Sequence, residues 1–528
     1  MPTNFILFIT DQQRADFLGC YGHPILETPH IDAIAARGIA FDRFHVASPV
    51  CMPNRASLMT GRMPSVHGVR LNGIPLSMNA VTFVDLLRDA GYATALVGKS
   101  HLQNFTGQPP LAIDTSAPAL RRPAPALAEA VRHDLAQARY AQESPAFWTG
   151  ADPRLRLPFY GFDHIELVTG HGDTVGGDYT AWLRERAPDA QRLLGPKSAL
   201  PSDYVCPQAH RTAIPAELYS TAYIGERAAA FLRATHGQDR PFFLMVSFPD
   251  PHHPFNPPGK YWDMYDPDDF AVPEAFRRND WVPPPHVAAA LAARERGEAA
   301  LTGMNTIAVS AREAQEARAL TCGMISCIDD AIGGVLAALA ASGRGHDTVL
   351  IFTSDHGDHL GDHRLLLKGA EPYQSIVRVP FIWADPQGSV RGARSAALAA
   401  TLDIPATILA RAGLGAYAGM QGRSLLDAIA DPRAGARDAV FIQFDHQRPQ
   451  DVYAGPPRVH TLVDERWRLS VFAAVRWGEM YDLANDPGEL DNLWDSPAHA
   501  GEKARLMERL LRAEIEHVDQ VPKPTALA

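Results

Sequence analysis

The chain has 528 residues, 46% hydrophobic and 21% charged, with a net charge of −11. That length exceeds what one ordinary core serves, so two unequal lobes are expected. The acidic balance, with no Lys/Arg block, excludes nucleic acid as a partner, and no run of about 18 apolar residues marks a membrane span. The five cysteines, Cys20, Cys51, Cys206, Cys322 and Cys327, are odd in number and lack metal-finger spacing. Together with a Met-Pro-Thr-Asn start that runs straight into an apolar segment, they predict a reduced, cytoplasmic setting.

In chain order, residues 5–10 form a continuous apolar run ending in Asp11, which predicts a buried parallel strand with an acid at its C-terminal end. Residues 82–90 read as a helix stopped by Gly91. Residues 93–97 read as a second strand leading into Gly98-Lys99-Ser100-His101. Residues 107–155, rich in Pro, Ala and Gln, suggest an insertion over the surface. Strand character returns at 159–168 and helical spacing at 218–234. A third buried strand, 242–248, ends in Pro-Asp-Pro-His252-His253-Pro. Residues 256–310 are Pro-rich and predict a long loop beside the site. Residues 311–341 predict a long helix, bent near Gly333-Gly334. A fourth strand, 348–353, ends in Ser-Asp355-His356-Gly, and 402–412 reads as a further helix. Strands alternating with helices predict a doubly wound α/β lobe with a mostly parallel sheet. After about residue 436 the pattern changes. Closely spaced strands at 440–444, 460–463, 468–472 and 479–483, then a helix at 501–517, predict a small antiparallel sheet with one covering helix. The expected division is therefore 1–435 and 436–528.

The most informative stretch is 48–62, Ser-Pro-Val-Cys-Met-Pro-Asn-Arg-Ala-Ser-Leu-Met-Thr-Gly-Arg. Pro53 suits a first helical turn, Ala56 to Met59 continue it, and Gly61 ends it. Cys51 then sits at a helix N-terminus, where free N–H groups favour an anion or a thiolate. Arg55, one turn on, can aim a guanidinium at the same spot. Ligand sites in open α/β sheets lie beyond the carboxyl ends of strands. Asp11, Lys99, His101, His252, Asp355 and His356 all sit at such ends, and their recurrence there points to one polar site. Asp11 and Asp355 offer hard carboxylate oxygens to a divalent cation. Gln12 and His356 are neutral, which keeps the site open to an anionic substrate. The imidazole makes Mn²⁺ a rival to Ca²⁺. Lys99 and His101, two apart on an extended segment, share one face.

The motif C-x-P-x-R with a following T-G-R resembles the signature of type I sulfatases, whose cysteine is oxidised to formylglycine. The fourth residue there is usually Ser or Ala, and here it is Asn54. The pairs Asp11-Gln12 and Asp355-His356 resemble the metal site of phosphonate monoester hydrolases and choline sulfatases more than the Asp-Asp and Asp-Asn pairs of many sulfatases. The resemblance implies an alkaline phosphatase-like fold and one divalent metal between Asp11, Gln12, the oxygen on residue 51, Asp355 and His356. The Lys99-x-His101 pair resembles sulfatases, because the phosphonate hydrolases carry uncharged residues there. By the same resemblance His252 is the leaving-group histidine, with His253 its neighbour. Lys368 contacts the sulfuryl oxygens, and Asn72 contacts substrate, with a turn role beside Gly73 as the other reading. Asp358, His359, Asp362 and His363 read as polar loop residues. A stretch from Glu479 to Glu489, Glu-Met-Tyr-Asp-Leu-Ala-Asn-Asp-Pro-Gly-Glu, is typical of the family's C-terminus.

What the resemblance implies is hydrolysis of small aryl or alkyl sulfate monoesters by the formylglycine hydrate. One of its hydroxyls attacks sulfur, His252 protonates the leaving oxygen, and His101 takes a proton from the second hydroxyl. Arg55 and Lys99 hold the hydrate in place. A formylglycine-generating enzyme is then the maturation partner, a small anionic ester the substrate, and a dimer or tetramer the expected assembly. Two other readings stay open: a phosphonate monoester or phosphodiester hydrolase with the same machinery, and a silent anion-binding protein in which Cys51 is never oxidised.

Overall fold

A computed structural model of the chain describes residues 3–108, 138–150, 153–303, 305–447, 452–453, 455–473, 475–524 and 526. Its strands are β1 (Asn4–Thr10), β2 (Ile39–His45), β3 (Ala93–Gly98), β4 (His164–Thr169), β5 (Gly176–Gly177), β6 (Phe242–Ser247), β7 (Ile307–Ala308), β8 (Thr348–Ser354), β9 (Leu365–Leu366), β10 (Phe381–Ala384) and β11 (Ala393–Ala400), followed by β12 (Ala439–Asp445), β13 (Arg458–Asp464), β14 (Trp467–Phe472) and β15 (Gly478–Asp482). Among the described residues nine strands form one sheet in the order β11-β2-β10-β8-β1-β6-β3-β4-β5. The five pairings β8·β1, β1·β6, β6·β3, β3·β4 and β11·β2 are parallel. β10 and β5 run antiparallel to their neighbours.

Every residue of β1, β6 and β8 is buried. The alternation of side chains explains why these runs are apolar throughout. On β1, Ile6 and Phe8 face one core, under the helices Ser220–Ala234 and Ala311–Ala341. Phe5, Leu7 and Ile9 face the other, under the helices Cys51–Thr60, Phe83–Asp89 and Asp403–Arg411. Thr82 and Ser310 open two of these helices with capping boxes to Asp85 and Glu313. The helix Ala311–Ala341 is long and apolar enough to cross a membrane by length and composition. Here Leu320, Ile325, Ile328 and Ile332 are buried in the first core.

The small lobe is the antiparallel sheet β12-β13-β14-β15. Its helix, Ala500–Glu516, lays Leu506 and Leu510 against Leu462, Trp467, Leu469 and Met480. The same cluster takes in Ala47, Met63, Val66 and Leu402, so this sheet shares a core with the large lobe.

Several expectations need correction. β2, β10 and β11, one flank of the large sheet, are missing from the sequence reading. Asp42 and Arg43 interrupt the apolar run of β2, and β11 reads Ala-Arg-Ser-Ala-Ala-Leu-Ala-Ala, a helix-favouring composition. The segment 256–310 is more ordered than a loop: it holds the helix Pro285–Glu295 and β7, which pairs with β9. The helix Ala311–Ala341 continues past Gly333-Gly334. Gly333 also answers a packing need, since a Cβ there would lie 2.5 Å from His30 Nε2. Of the 107–155 insertion, residues 109–137 and 151–152 lie outside the described residues.

Candidate active site

Five parallel-strand ends deliver the site. Asp11 follows β1, Lys99 follows β3, His171 lies beyond β4, His252 beyond β6 and Asp355 follows β8. Cys51 is the first residue of the helix Cys51–Thr60, and Gly61, at φ 63°, ends that helix in the left-handed region. The ligand atoms of Asp11, Cys51, Asp355 and His356 lie within 4.8 Å of one another, and all four residues are buried. The Lys368 ammonium reaches the same focus, 2.8 Å from Gln12 Oε1, 2.9 Å from His356 Nε2 and 3.2 Å from Cys51 Sγ.

These residues fit a divalent cation. Two carboxylates and an amide oxygen are hard donors, and the imidazole broadens the choice to first-row metals. His356 Nδ1 lies 2.8 Å from the Gly357 carbonyl, which leaves Nε2 as the atom turned to the focus. Gln12 is oriented in the same manner. Its Nε2 donates to Asp358 Oδ2 at 2.5 Å, so its Oε1 faces inward. Asp358 Oδ1 in turn accepts the N–H groups of Leu360 and Leu367, at 2.9 and 2.8 Å. Asp358 is therefore an orienting residue and not the plain loop residue of the sequence reading. The point already holds positive charge: burial and Lys368 push His356 down, but Asp355, Cys51 and Asp11 outweigh them and raise it to about 9.

Each carboxylate is also locked to a fixed cation. Lys99 forms an ion pair with Asp11, and both side chains are fully buried. Arg55 Nε donates to Asp355 Oδ2 at 2.6 Å, and its Nη1 donates to Ser247 Oγ at 2.9 Å and to the Lys99 carbonyl at 3.1 Å. Burial and Asp11 push the Cys51 thiol up, but Lys368, His356 and Lys99 outweigh them and hold it below its ordinary range. Asn54 has a packing role. Its Oδ1 accepts from Ala47 N at 2.9 Å, and its Nδ2 donates to the Asp355 carbonyl at 2.6 Å. Asn72 lies beside Cys51 with its Oδ1 accepting the Met52 N–H at 3.0 Å, so that oxygen caps the helix.

The histidines form a wall. The His171 and His252 rings stack at 3.6 Å and the His252 and His253 rings at 4.1 Å. His252 Nδ1 lies 2.6 Å from the His253 carbonyl, and its buried Nε2 has no partner. The buried His101 Nδ1 is likewise unpartnered, and its ring stacks on Phe105 at 3.9 Å. Burial, His171 and Lys368 hold His252 well below the ordinary imidazole range. Burial and Lys99 do the same to His101. Both rings are buried, His101 at 5% and His171 at 9% exposure. His171 went unnoticed in the sequence. Its Nε2 lies 2.8 Å from Lys99 Nζ and 3.4 Å from Asp11 Oδ2. Thr-Gly-His-Gly after an apolar run was the available signal, the same strand-end position as the other site residues.

Comparison with known proteins agrees with this arrangement. The family model described as "Sulfatase" matches residues 3–414, and a second, "N-sulphoglucosamine sulphohydrolase, C-terminal", matches residues 361–516. An uncharacterised sulfatase, YidJ, of Escherichia coli is 28% identical over 99% of this chain and 88% of its own length. An arylsulfatase of Clostridium perfringens is 28% identical over 98% of this chain and 95% of its own. The crystal structure of a phosphonate monoester hydrolase from Agrobacterium radiobacter superposes with a TM-score of 0.74 at 26% identity, covering 98% of this chain and 96% of that one. With a model match across most of its length, a mostly parallel sheet of this order and a signature cysteine held at the focus of its site, the chain belongs to the sulfatase family, enzymes that hydrolyse sulfuric esters.

Proposed function

We propose that the protein hydrolyses sulfate monoesters of small aryl or alkyl alcohols, using formylglycine at position 51 and one divalent ion, Ca²⁺ or Mn²⁺, held by Asp11, Gln12, Asp355 and His356. The observation that carries the reading is the pair of buried ammonium groups at the site, Lys368 beside Cys51 Sγ at 3.2 Å and Lys99 paired with Asp11. A sulfuryl group has three oxygens to stabilise as charge builds in the transition state, and this site has fixed cations for them. The divalent ion, once bound, supplies further positive charge to those oxygens and to the nucleophile. The hydrate of formylglycine supplies the attacking hydroxyl and the second hydroxyl whose deprotonation releases sulfate. His252 Nε2 is free to carry a proton to the leaving oxygen, and an anionic substrate beside it raises its proton affinity. His101 Nδ1 is free to take the second proton. Arg55 keeps Asp355 oriented through its Nε contact, and Asp358 keeps Gln12 Oε1 turned inward. Because Cys51 is fully buried, its oxidation by a formylglycine-generating enzyme has to precede folding. Assembly as a dimer or tetramer belongs to the same reading, supported by the exposed Leu511, Ile515 and Val518 at the C-terminal helix. A light-scattering mass of one chain refutes it.

The second reading, hydrolysis of phosphonate monoesters or phosphodiesters, is favoured by Gln12 and His356 and by the likeness to the Agrobacterium hydrolase. One experiment separates the readings: the mass of the peptide containing residue 51, followed by kcat/KM for an aryl sulfate and a phenyl phosphonate ester. Formylglycine with a preference for the sulfate supports the first reading. An unmodified Cys51 in active protein refutes both.

A further inference from the structure

Residues 138–150 return from the insertion between β3 and β4 to the back of the site. They dock by exchanged amide contacts: Gln103 Oε1 accepts from Gln142 N at 2.9 Å, and Gln103 Nε2 donates to the Arg139 carbonyl at 3.1 Å. The dock brings Glu143, fully buried, against the turn that follows Lys99. Its Oε2 accepts the His101 N–H at 2.8 Å, and its Oε1 accepts those of Leu102 and Gln103 at 3.0 and 2.9 Å. Three successive N–H groups converging on one carboxylate make an anion nest, here filled from within the chain.

The turn it fills is strained at the residue that matters. His101 has φ 57°, in the left-handed region that a β-carbon disfavours. Such a conformation persists only where its surroundings over-determine it. The hydrogen bonds of Glu143 do so, and they set the direction in which the His101 side chain leaves the backbone. We propose that Glu143 is the positioning residue of His101, holding its ring on Phe105 and its free Nδ1 in the wall of the site. Burial pushes the Glu143 carboxyl up to about 7, with the three N–H groups pulling the other way. A fully buried acid with no catalytic contact needs such a reason to be there. The proposal rests on the role of His101 in the reaction proposed above.

The test is a double-mutant cycle on an aryl sulfate ester such as 4-nitrophenyl sulfate. Wild type, Glu143→Ala, His101→Ala and the double variant are compared at equal formylglycine and metal content. Loss of an orienting partner is expected to lower kcat about 10- to 100-fold with KM nearly unchanged. In the His101→Ala background the same substitution should change kcat by less than about twofold. A purely structural role would lower kcat in both backgrounds alike, and that result overturns the proposal. So does a Glu143→Ala enzyme with wild-type kcat. A silent His101→Ala instead overturns the role of His101 itself, a failure of the underlying reading that the cycle distinguishes. Should Glu143→Ala not fold, Glu143→Gln keeps the volume and one acceptor oxygen while placing an amide N–H₂ against the turn's donors. The same pattern with a smaller drop supports the proposal, and equal losses in both backgrounds refute it.

Discussion

Removing Arg55 tests how the site holds its charges. The guanidinium and Asp355 are 1% and 0% exposed, and the Nε–Oδ2 distance is 2.6 Å. Arg55→Met would leave a buried carboxylate, the Ser247 hydroxyl and the Lys99 carbonyl without the donors they have now. Breaking a buried ion pair from one side costs about 3–5 kcal/mol. Unfolding entropy near 2.1 cal/mol/K per residue amounts to about 1.1 kcal/mol/K for 528 residues. The melting midpoint should therefore fall by about 3–5 °C in EDTA. With Ca²⁺ or Mn²⁺ present the loss should shrink, because a divalent ion on Asp355 supplies the missing positive charge. Arg55→Lys keeps the charge but not the planar fork, and should fall between the two. Calorimetric melts of the three proteins with and without EDTA measure this. An Arg55→Met midpoint within about 1 °C of wild type in EDTA refutes the account of the pair as a charge lock.

Three further outcomes follow from the geometry. Cys51→Ala should abolish turnover, a loss on the order of 10⁶ in kcat, while the circular dichroism spectrum stays that of the wild type. Residual activity near the wild-type level refutes formylglycine catalysis. Lys99→Ala should lower aryl sulfate hydrolysis more than phosphonate ester hydrolysis, by a further 1–3 kcal/mol or so, roughly 5- to 150-fold in relative kcat/KM. Parallel losses on both substrates refute a role for Lys99 in stabilising the sulfuryl oxygens. Asp250 is fully buried, and burial raises its carboxyl to about 7 from 3.8, against Thr221 and Tyr219 which lower it. The folded state thus binds a proton that the unfolded state has released, and stability at this position falls as pH rises from about 4 to about 7. Asp250→Asn, which mimics the protonated form, should flatten that part of the stability–pH curve. Melts from pH 4 to 8 that show an unchanged slope refute it.

How much of this was legible in the sequence depended on whether a residue's neighbours were local. The strands β1, β3, β6 and β8 announced themselves because burial on both faces demands unbroken apolar runs. Their C-terminal residues then placed Asp11, Lys99, His252 and Asp355 at one rim. β2 and β11 stayed hidden, since a strand carrying Asp42 and Arg43 or built mainly of alanine is decided by sheet pairing and not by its own pattern. The orienting residues were hidden for a similar reason. Asp358 meets Gln12 and Glu143 meets His101 only once distant segments dock. His171 sat at a visible strand end, the same signal as the other site residues, but its place in the site rests on its stacking against His252, a contact between distant segments.

The arrangement also explains how a chain of net charge −11 handles anions. Asp11 and Asp355 would repel a sulfate ester, yet each is paired inside the protein, one to Lys99 and the other to Arg55. Lys368 then stands in excess of these two pairs, so the fixed charges at the focus sum to positive before any metal binds. A divalent ion held there would add to that surplus without a further acid to offset it, because Gln12 is a neutral amide where another carboxylate could stand. The surplus is confined to a buried focus, where its field is little screened by salt. Replacing Gln12 by Asp would test this balance: metal should bind more tightly while KM for an anionic ester rises, because the added carboxylate attracts the cation and opposes the substrate. An unchanged KM alongside tighter metal binding would show that the charge surplus does not govern substrate affinity.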